Sequence, residues 1–397
     1  MRAIRLLFAF FFLISCHQTN PKLLDKGVSI ELAQYRKQQI SAITYDLHFR
    51  IPNDIKEPIP STLKVQFHLN AVDGDQYLDF NVATENLKSV QINGTDTPID
   101  HQNEHIIVTE DLLTAGKNEV QISFDAGETS LNRNKEFVYT LLVPDRAMTV
   151  FPCFDQPDLK ARYNLTITAP EEWKVMAGGK LKKRSSENGF ATHQFHTTDL
   201  MSTYLFSFVA GKFTKDSQNP GAFNMDFLYR ENNPERISES VDAVFRIHQQ
   251  ALDYLEDYTQ YKFPFQKMDF AAIPPFQYGG MEHVGAIQYR QSSLFLDKNA
   301  TQSRRLGRAK LISHETSHMW FGDLVTMRWF NDVWMKEVFA NFMADKIVNP
   351  LYPAINHQLS FMQSHYPRAY NEDRTKGTNP IRQELANLKN AGSLYGR

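Results

Sequence analysis

The chain has 397 residues, a formal net charge of -2 at pH 7 and 42% hydrophobic residues. This length and composition are typical of a globular protein with roughly two or three domains. The charge pattern does not indicate a nucleic-acid-binding protein, because no long basic run occurs.

The N-terminus has the features of an export signal. Two arginines precede an apolar run at 6–14 that is too short to span a bilayer as a helix. The run ends in "LISC", which resembles a bacterial lipobox, so we predict a lipoprotein signal peptide over 1–15 and a lipid on Cys16. A plain signal peptide with a chance cysteine is the alternative. We predict that the polar segment 16–40 is a tether and that the protein lies in the bacterial cell envelope, outside the cytoplasm.

Alternating apolar residues predict an all-β domain over 41–213. Short runs such as 45–51 and 63–69 place their apolar side chains on one face with period two, and similar runs recur further along this region. Many short alternating runs separated by turn residues are typical of antiparallel sheets with one buried face. We therefore predict an antiparallel β-sandwich.

The pattern changes at residue 214. Apolar residues over 238–258 recur every three or four positions, which predicts an amphipathic helix. Two strand candidates, 267–273 and 285–290, and a helical region at about 303–348 follow. This order predicts a multidomain protein in which the β domain is followed by an α+β domain over 214–397.

The stretch "HETSHMW" holds two histidines, His314 and His318, spaced by four residues. On a helix they lie one turn apart on one face and can reach one metal ion, with Glu315 beside it. A chance spacing on an ordinary helix explains two histidines equally well. Zinc needs a third protein ligand and an open position for water. Glu337, separated from His318 by 18 residues on a second predicted helix, is the candidate.

A pair of glycines marks another candidate segment. Gly279 and Gly280 precede Met281 and Glu282, and glycine allows the backbone to approach a ligand closely. The Glu282 carboxylate could then face the site. An ordinary turn with an exposed glutamate is the alternative for this segment taken alone.

Together these segments resemble the aminopeptidase N family of zinc metallopeptidases, the gluzincins. The family pattern HExxH-x18-E corresponds to His314, Glu315, His318 and Glu337, and its GAMEN motif corresponds to "GGMEH". "FPCFDQPDLKA" at 151–161 matches a family signature in the β domain. The resemblance runs from about residue 45 to the end of the sequence.

The resemblance implies a thermolysin-like zinc peptidase domain with one Zn²⁺ per chain. His314, His318 and Glu337 would bind the zinc, which activates a water molecule. Glu315 would be the general base. The Gly279–Met281 backbone would bind the substrate main chain.

Glu282 would bind the substrate's free α-ammonium group. The expected partners are therefore peptides with a free N-terminus, together with a membrane through the lipid on Cys16, and no nucleic acid.

Several positions depart from the family pattern. Val143 stands where many members carry a Glu or Gln that helps to bind the amine. Gly280 replaces the alanine of GAMEN and His283 replaces its asparagine, and both changes are mild because Glu282 is kept. Lys336 replaces the asparagine before the third ligand, and we expect its side chain to point to the surface.

An oxyanion-stabilising tyrosine is expected roughly 60 residues after the third ligand. Tyr395 lies near this distance in an atypical context, so we expect the chain to be C-terminally truncated and the peptidase domain to be incomplete.

The sequence favours a zinc-dependent aminopeptidase that hydrolyses the N-terminal peptide bond of peptides. The first alternative is a truncated, non-catalytic fragment of such an enzyme that binds zinc or peptide. A zinc endopeptidase is a second alternative, which Glu282 disfavours because a carboxylate at the amine position suits a chain terminus.

Overall fold

A computed structural model describes residues 21–221 and 223–394 of the chain. The predicted signal peptide at 1–15, Cys16 with its predicted lipid, and Tyr395 lie outside the described residues. In the described part of the chain, no helix has both the length and the apolar character needed to cross a membrane.

The described residues form strands and helices in an order that changes from mainly β to mixed. The strands are β1 (Ile40–Arg50), β2 (Pro60–Leu69), β3 (Gln76–Asp79), β4 (Leu87–Ile92), β5 (Thr95–Thr97), β6 (His101–Gln102), β7 (His105–Val108), β8 (Gly116–Asp125), β9 (Leu131–Arg133), β10 (Phe137–Thr140), β11 (Ala161–Pro170), β12 (Lys174–Ala177), β13 (Leu181–Glu187), β14 (Phe190–Phe195), β15 (Phe208–Gly211), β16 (Thr214–Gln218), β17 (Met225–Tyr229), β18 (Asp269–Ile273), β19 (Gly280–Met281) and β20 (Ala286–Arg290). The helices are α1 (Ile30–Gln39), α2 (Pro234–Thr259), α3 (Gln291–Leu294), α4 (Gln302–His318), α5 (Val333–Leu351), α6 (His357–Ser364) and α7 (Tyr366–Asp373).

The predicted β region contains three sheets. An eight-stranded sheet has the order β13-β14-β11-β1-β2-β8-β4-β5, a four-stranded sheet has the order β12-β15-β10-β9, and a small sheet has the order β3-β7-β6. The two larger sheets pack through aromatic side chains, with ring centroids of Phe49 and Phe208 5.4 Å apart. Apolar side chains at alternate positions of β1 and β2 are buried, which confirms the predicted period-two pattern.

Strand pairing differs from the prediction at one place in the large sheet. β1 and β11 run parallel, from Ile43 opposite Ala161 to Arg50 opposite Thr168, so the sheet is mixed rather than antiparallel throughout. An alternation of apolar residues reports which face is buried. It carries no information about the direction of the neighbouring strand.

Residues 30–39 form the helix α1 rather than an unstructured tether. Ser29 caps the helix by accepting a hydrogen bond from the Leu32 N–H. Leu32 and Ala33 are buried, and Arg36 is fully buried against Asp79, to which it donates two hydrogen bonds. The segment has little apolar periodicity because its main inward-facing side chain is charged.

The second part of the chain is built on a mixed five-stranded sheet with the order β16-β17-β18-β20-β19. β17, β18 and β20 are parallel neighbours, and β19 runs antiparallel to β20 at the edge. The predicted helix at 238–258 corresponds to α2, and the two predicted strands correspond to β18 and β20. The predicted helical region at 303–348 is divided into α4 and α5 by an irregular segment. The predicted boundary between 213 and 214 falls between β15 and β16, which belong to different sheets.

Candidate metal centre

The helix α4 places the two histidines as their spacing predicts. Thr301 caps its first turn, and the helix ends at His318. The Nε2 atoms of His314 and His318 lie 3.0 Å apart. Two nitrogens bound to one tetrahedral zinc ion lie roughly 3.3 Å apart, so both imidazoles fit a single ion with little movement.

Hydrogen bonds at the other ring nitrogens orient both imidazoles. The Nδ1 of His314 lies 3.1 Å from the Asn341 side-chain oxygen, and the Nδ1 of His318 lies 3.1 Å from the Phe321 carbonyl oxygen. Each Nδ1–H donates to its oxygen, which leaves the Nε2 lone pair available to a metal. Asn341 was not singled out from the sequence, although it follows Glu337 by one helical turn on α5.

α5 brings the third predicted ligand to the two histidines. The Oε2 of Glu337 lies 3.5 Å from the His314 Nε2 and 3.7 Å from the His318 Nε2. The three ligand atoms lie within 4.8 Å of one another. The side chain of His318 is 1% exposed, whereas those of His314 and Glu337 are 18% and 34% exposed, so the cluster is open on one side. Two imidazoles and a carboxylate with one open side are the donor set of catalytic zinc, and the residues fit that metal.

Glu315 lies next to this cluster and is buried. One oxygen of its carboxylate, one oxygen of the Glu282 carboxylate and a ring nitrogen of His318 lie within 4.8 Å of one another. Burial raises the pKa of Glu315 to about 8, an effect that His314 opposes and the carboxylate of Glu282 reinforces. Its buried position beside the candidate metal ligands places this carboxyl group where it can accept and return a proton.

The edge strand β19 lies directly against Glu315. A Cβ atom at Gly280 would stand 2.3 Å from the Glu315 Oε1, and one at Gly279 would stand 3.2 Å from Leu311. The lack of a Cβ atom at Gly280 allows this close approach. Gly280 and Met281 pair with β20 on one side. In the described part of the chain no strand pairs with their other side, so this edge can accept an extended peptide.

Glu282 is buried beside the cluster, but it is not free. The Lys336 Nζ donates hydrogen bonds to the Glu282 Oε1 and, at 2.8 Å, to the Glu337 Oε1. Burial would raise the pKa of Glu282, but Lys336 outweighs it and holds the pKa at about 2.

The expectation that Lys336 points to the surface is wrong. Its side chain is 5% exposed, and its Nζ lies 5.7 Å from the ring centroid of Tyr204, which precedes β15. This face of α5 is covered by the predicted β region and lines the site. The pattern of one helix cannot predict a contact with a segment so distant in the sequence.

Val143, which precedes the predicted signature at 151–161, and Lys160 within it occupy different surroundings. Val143 is buried and has no polar side-chain atom to offer an ammonium group. Lys160, at the end of the signature, donates to the carbonyl oxygens of Asp323 and Leu324 at 2.7 and 3.1 Å. The signature therefore anchors the segment that joins α4 to α5.

Comparison with known proteins gives two family matches. A family model described as the peptidase M1 N-terminal domain matches residues 41–205, and one described as the peptidase family M1 domain matches residues 244–397.

Several curated proteins are similar over most of the chain. A leucyl aminopeptidase of Saccharolobus solfataricus is 32% identical over 249 residues, which are 63% of this chain and 31% of that protein. Endoplasmic reticulum aminopeptidase 2 of Bos taurus is 31% identical over 299 residues, 72% of this chain and 31% of that protein. Aminopeptidase N of Streptomyces lividans is 29% identical over 348 residues, 83% of this chain and 39% of that protein. The chain thus spans about a third of the length of these relatives.

Proposed function

Since the chain belongs to peptidase family M1, we propose that it acts as a zinc-dependent aminopeptidase. The observation that carries this proposal is the convergence of His314, His318 and Glu337 within 4.8 Å, with Glu315 buried beside them. The names of the similar proteins, leucyl aminopeptidase and aminopeptidase N, support the same reaction class. The substrates would be peptides with a free N-terminus.

Zinc, when bound, supplies a Lewis acid and lowers the pKa of a water molecule toward neutrality. His314 and His318 present their Nε2 lone pairs to it, held by Asn341 and by a backbone carbonyl. Glu337 adds one negative charge to the ligand set. The buried Glu315 carboxylate takes the proton of the attacking water and returns it to the leaving amine.

The edge of β19 positions the peptide in this proposal. An extended substrate backbone pairs with the outer edge at Gly280 and Met281 and places its scissile carbonyl beside Glu315. Glu282, the next residue, receives the N-terminal end of the peptide. This order along the strand supports cleavage after the first residue.

Zinc content and product analysis test this function together. The purified chain is expected to bind one zinc ion and to release single N-terminal residues from a short peptide. Glu315→Gln should keep the zinc and lose about a thousandfold in kcat, whereas His318→Ala should lose the zinc. His68→Ala, at an exposed histidine of β2, is the matched control and should change neither property. Retention of full activity by Glu315→Gln would remove the basis of the proposal, and zinc binding without any hydrolysis would favour the non-catalytic alternative.

We also propose that a lipid on Cys16 attaches the protein to a membrane in the bacterial cell envelope. The support is the lipobox-like "LISC" after a short apolar run. Cys16→Ser is expected to move the protein from the membrane fraction to the soluble envelope fraction. Mass spectrometry of the N-terminal peptide should show an acylated cysteine, and an unmodified, uncleaved N-terminus would contradict the proposal.

A further inference from the structure

An internal cation lies at the position that would receive the N-terminus of the substrate. The Lys336 Nζ donates to Glu282 and to Glu337, so it lies between the candidate amine anchor and the third candidate metal ligand. The side chains of Lys336 and Glu282 are 5% and 4% exposed. This ion pair is a built part of the site and not a surface contact.

The Lys336 ammonium is chemically the same group as the N-terminus of a peptide. A carboxylate that already accepts a charge-assisted hydrogen bond from one ammonium gains less from a second one. The second ammonium also meets a like charge at short range, in a site with little water to screen it.

We propose, on the basis of the proposed aminopeptidase function, that Lys336 is a specificity-determining residue that weakens the requirement for a charged N-terminus. With the Glu282 carboxylate already paired with Lys336, the site accepts peptides whose first residue lacks a free ammonium group nearly as well as those that carry it. The substrate class is therefore broader than the Glu282 carboxylate alone would select. Attraction between Glu282 and a free amine is present but largely offset.

A pair of substrates that differ only in the ammonium group tests this inference. Leucine p-nitroanilide carries the group, and 4-methylpentanoic acid p-nitroanilide is the same molecule without it. The wild-type protein should prefer the free amine by less than about tenfold in kcat/KM. Lys336→Met, which keeps an unbranched side chain one atom shorter and removes its charge, should raise this preference at least tenfold, mainly through KM.

Two further variants separate the effect from a general disturbance. Lys346→Met makes the same substitution on the same helix, where the Nζ lies over the Phe342 ring, and should leave the preference unchanged. The double variant Glu282→Gln with Lys336→Met removes both charges, so the preference should fall back to the wild-type level or below.

Calorimetry provides a measurement that needs no turnover. L-leucinamide and 4-methylpentanamide are titrated into metal-free protein, and Lys336→Met is expected to tighten leucinamide binding at least tenfold without changing the binding of its des-amino analogue. Because it uses metal-free protein, this measurement tests the role of Lys336 even if Lys336→Met loses zinc or activity.

An unchanged or smaller preference in the folded Lys336→Met variant would overturn the inference, since the ion pair would then open freely for substrate. Failure of the zinc-loaded wild type to hydrolyse either anilide would refute the proposed function. The calorimetric difference between Lys336→Met and wild type would still support or refute the role of Lys336 in that event.

Discussion

Each part of the chain contains one buried cluster of ion pairs. The two clusters are built from similar charged groups but differ in whether every carboxylate oxygen points at a donor within the protein. In the first part, Asp79 accepts two hydrogen bonds from Arg36, one from the His105 ring at 2.8 Å and one from the Asp155 N–H at 2.8 Å. Arg36 and Asp79 are fully buried. Every oxygen of this closed cluster points at a protein donor.

The second cluster, at the candidate metal centre, is arranged differently. Lys336 pairs with Glu282 and Glu337, but the His314 and His318 Nε2 atoms and the Glu337 Oε2 point at a shared point and not at separate protein donors. The side chain of Glu337 is 34% exposed. Buried opposite charges alone therefore do not mark a functional site. A set of ligand atoms that converge on one accessible point does.

Breaking the closed cluster should have the largest effect on stability. Arg36→Met leaves the Asp79 carboxylate buried without its main partner, so we expect a loss of about 3–5 kcal/mol in the free energy of unfolding. Zinc content should be unchanged in the protein that remains folded. Lys37→Met, at the next and exposed position of α1, is the control and should cost less than about 0.5 kcal/mol. Urea titration followed by circular dichroism measures both. Equal losses for the two variants would show that the closed cluster has no special role.

Crowding the open cluster should affect catalysis more than stability. Gly280→Ala places a Cβ atom 2.3 Å from the Glu315 Oε1, so the Glu315 carboxylate must shift. Because it is the end of a flexible side chain, and because the GAMEN motif carries alanine at this position, we expect a loss of only about tenfold in kcat/KM. Gly307→Ala, on the same helix as Glu315, meets no atom within 4 Å and should keep full activity. We expect kcat/KM to separate the two variants while both still bind zinc. Full activity of Gly280→Ala would show that β19 can move away from α4.

Loosening one ligand of the open cluster should lower the zinc affinity without displacing Glu315. Asn341→Ala removes the side-chain oxygen that orients the His314 ring, and loss of such a partner typically costs about 10–100-fold in metal affinity. Competition with a chelator measures the zinc affinity. Asn379→Ala, at an exposed asparagine after α7, is the control. An unchanged affinity in Asn341→Ala would mean that the helix alone sets the ring orientation.

Local patterns predicted much of both regions. The alternating runs of β1 and β2, the periodicity of α2 and the spacing of His314 and His318 all depend on neighbours within one strand or one helical turn. These features can be predicted because buried residues repeat with the period of the strand or helix itself.

Features that depend on contacts between distant segments were not predictable in this way. The buried Arg36 of α1 is paired with Asp79, 43 residues further along the chain, so its segment was taken for a polar tether. Lys336 was expected at the surface because its neighbour in the sequence is a ligand, yet Tyr204 and Glu282 enclose it. The parallel pairing of β1 with β11 likewise does not change the alternation of apolar and polar residues along either strand.

The smallest predicted effect concerns a closed histidine site within the second part of the chain. His248 is fully buried on α2, where its Nδ1–H donates to the Val244 carbonyl at 2.9 Å and its Nε2 accepts from the Tyr289 hydroxyl at 2.9 Å. Unlike His314 and His318, it has no lone pair left for a ligand. Burial lowers the pKa of His248 to about 3, an effect that the hydrogen bond to Val244 opposes.

This lowered pKa fixes the direction of a pH effect on stability. Above the unfolded pKa of about 6.5 the ring is neutral in both states. Below it, the unfolded chain binds a proton that the folded chain does not take up until the pH nears 3, so stability falls by up to about 1.4 kcal/mol per pH unit. His248→Gln keeps a neutral donor and acceptor and removes this titration. The free energy of unfolding, measured between pH 7 and 5, should therefore fall less steeply for His248→Gln than for the wild type, whereas the exposed-site variant His68→Gln should match the wild type. Identical slopes for the wild type and His248→Gln would mean that the folded protein protonates His248 near its ordinary pKa, and that burial does not keep this ring neutral.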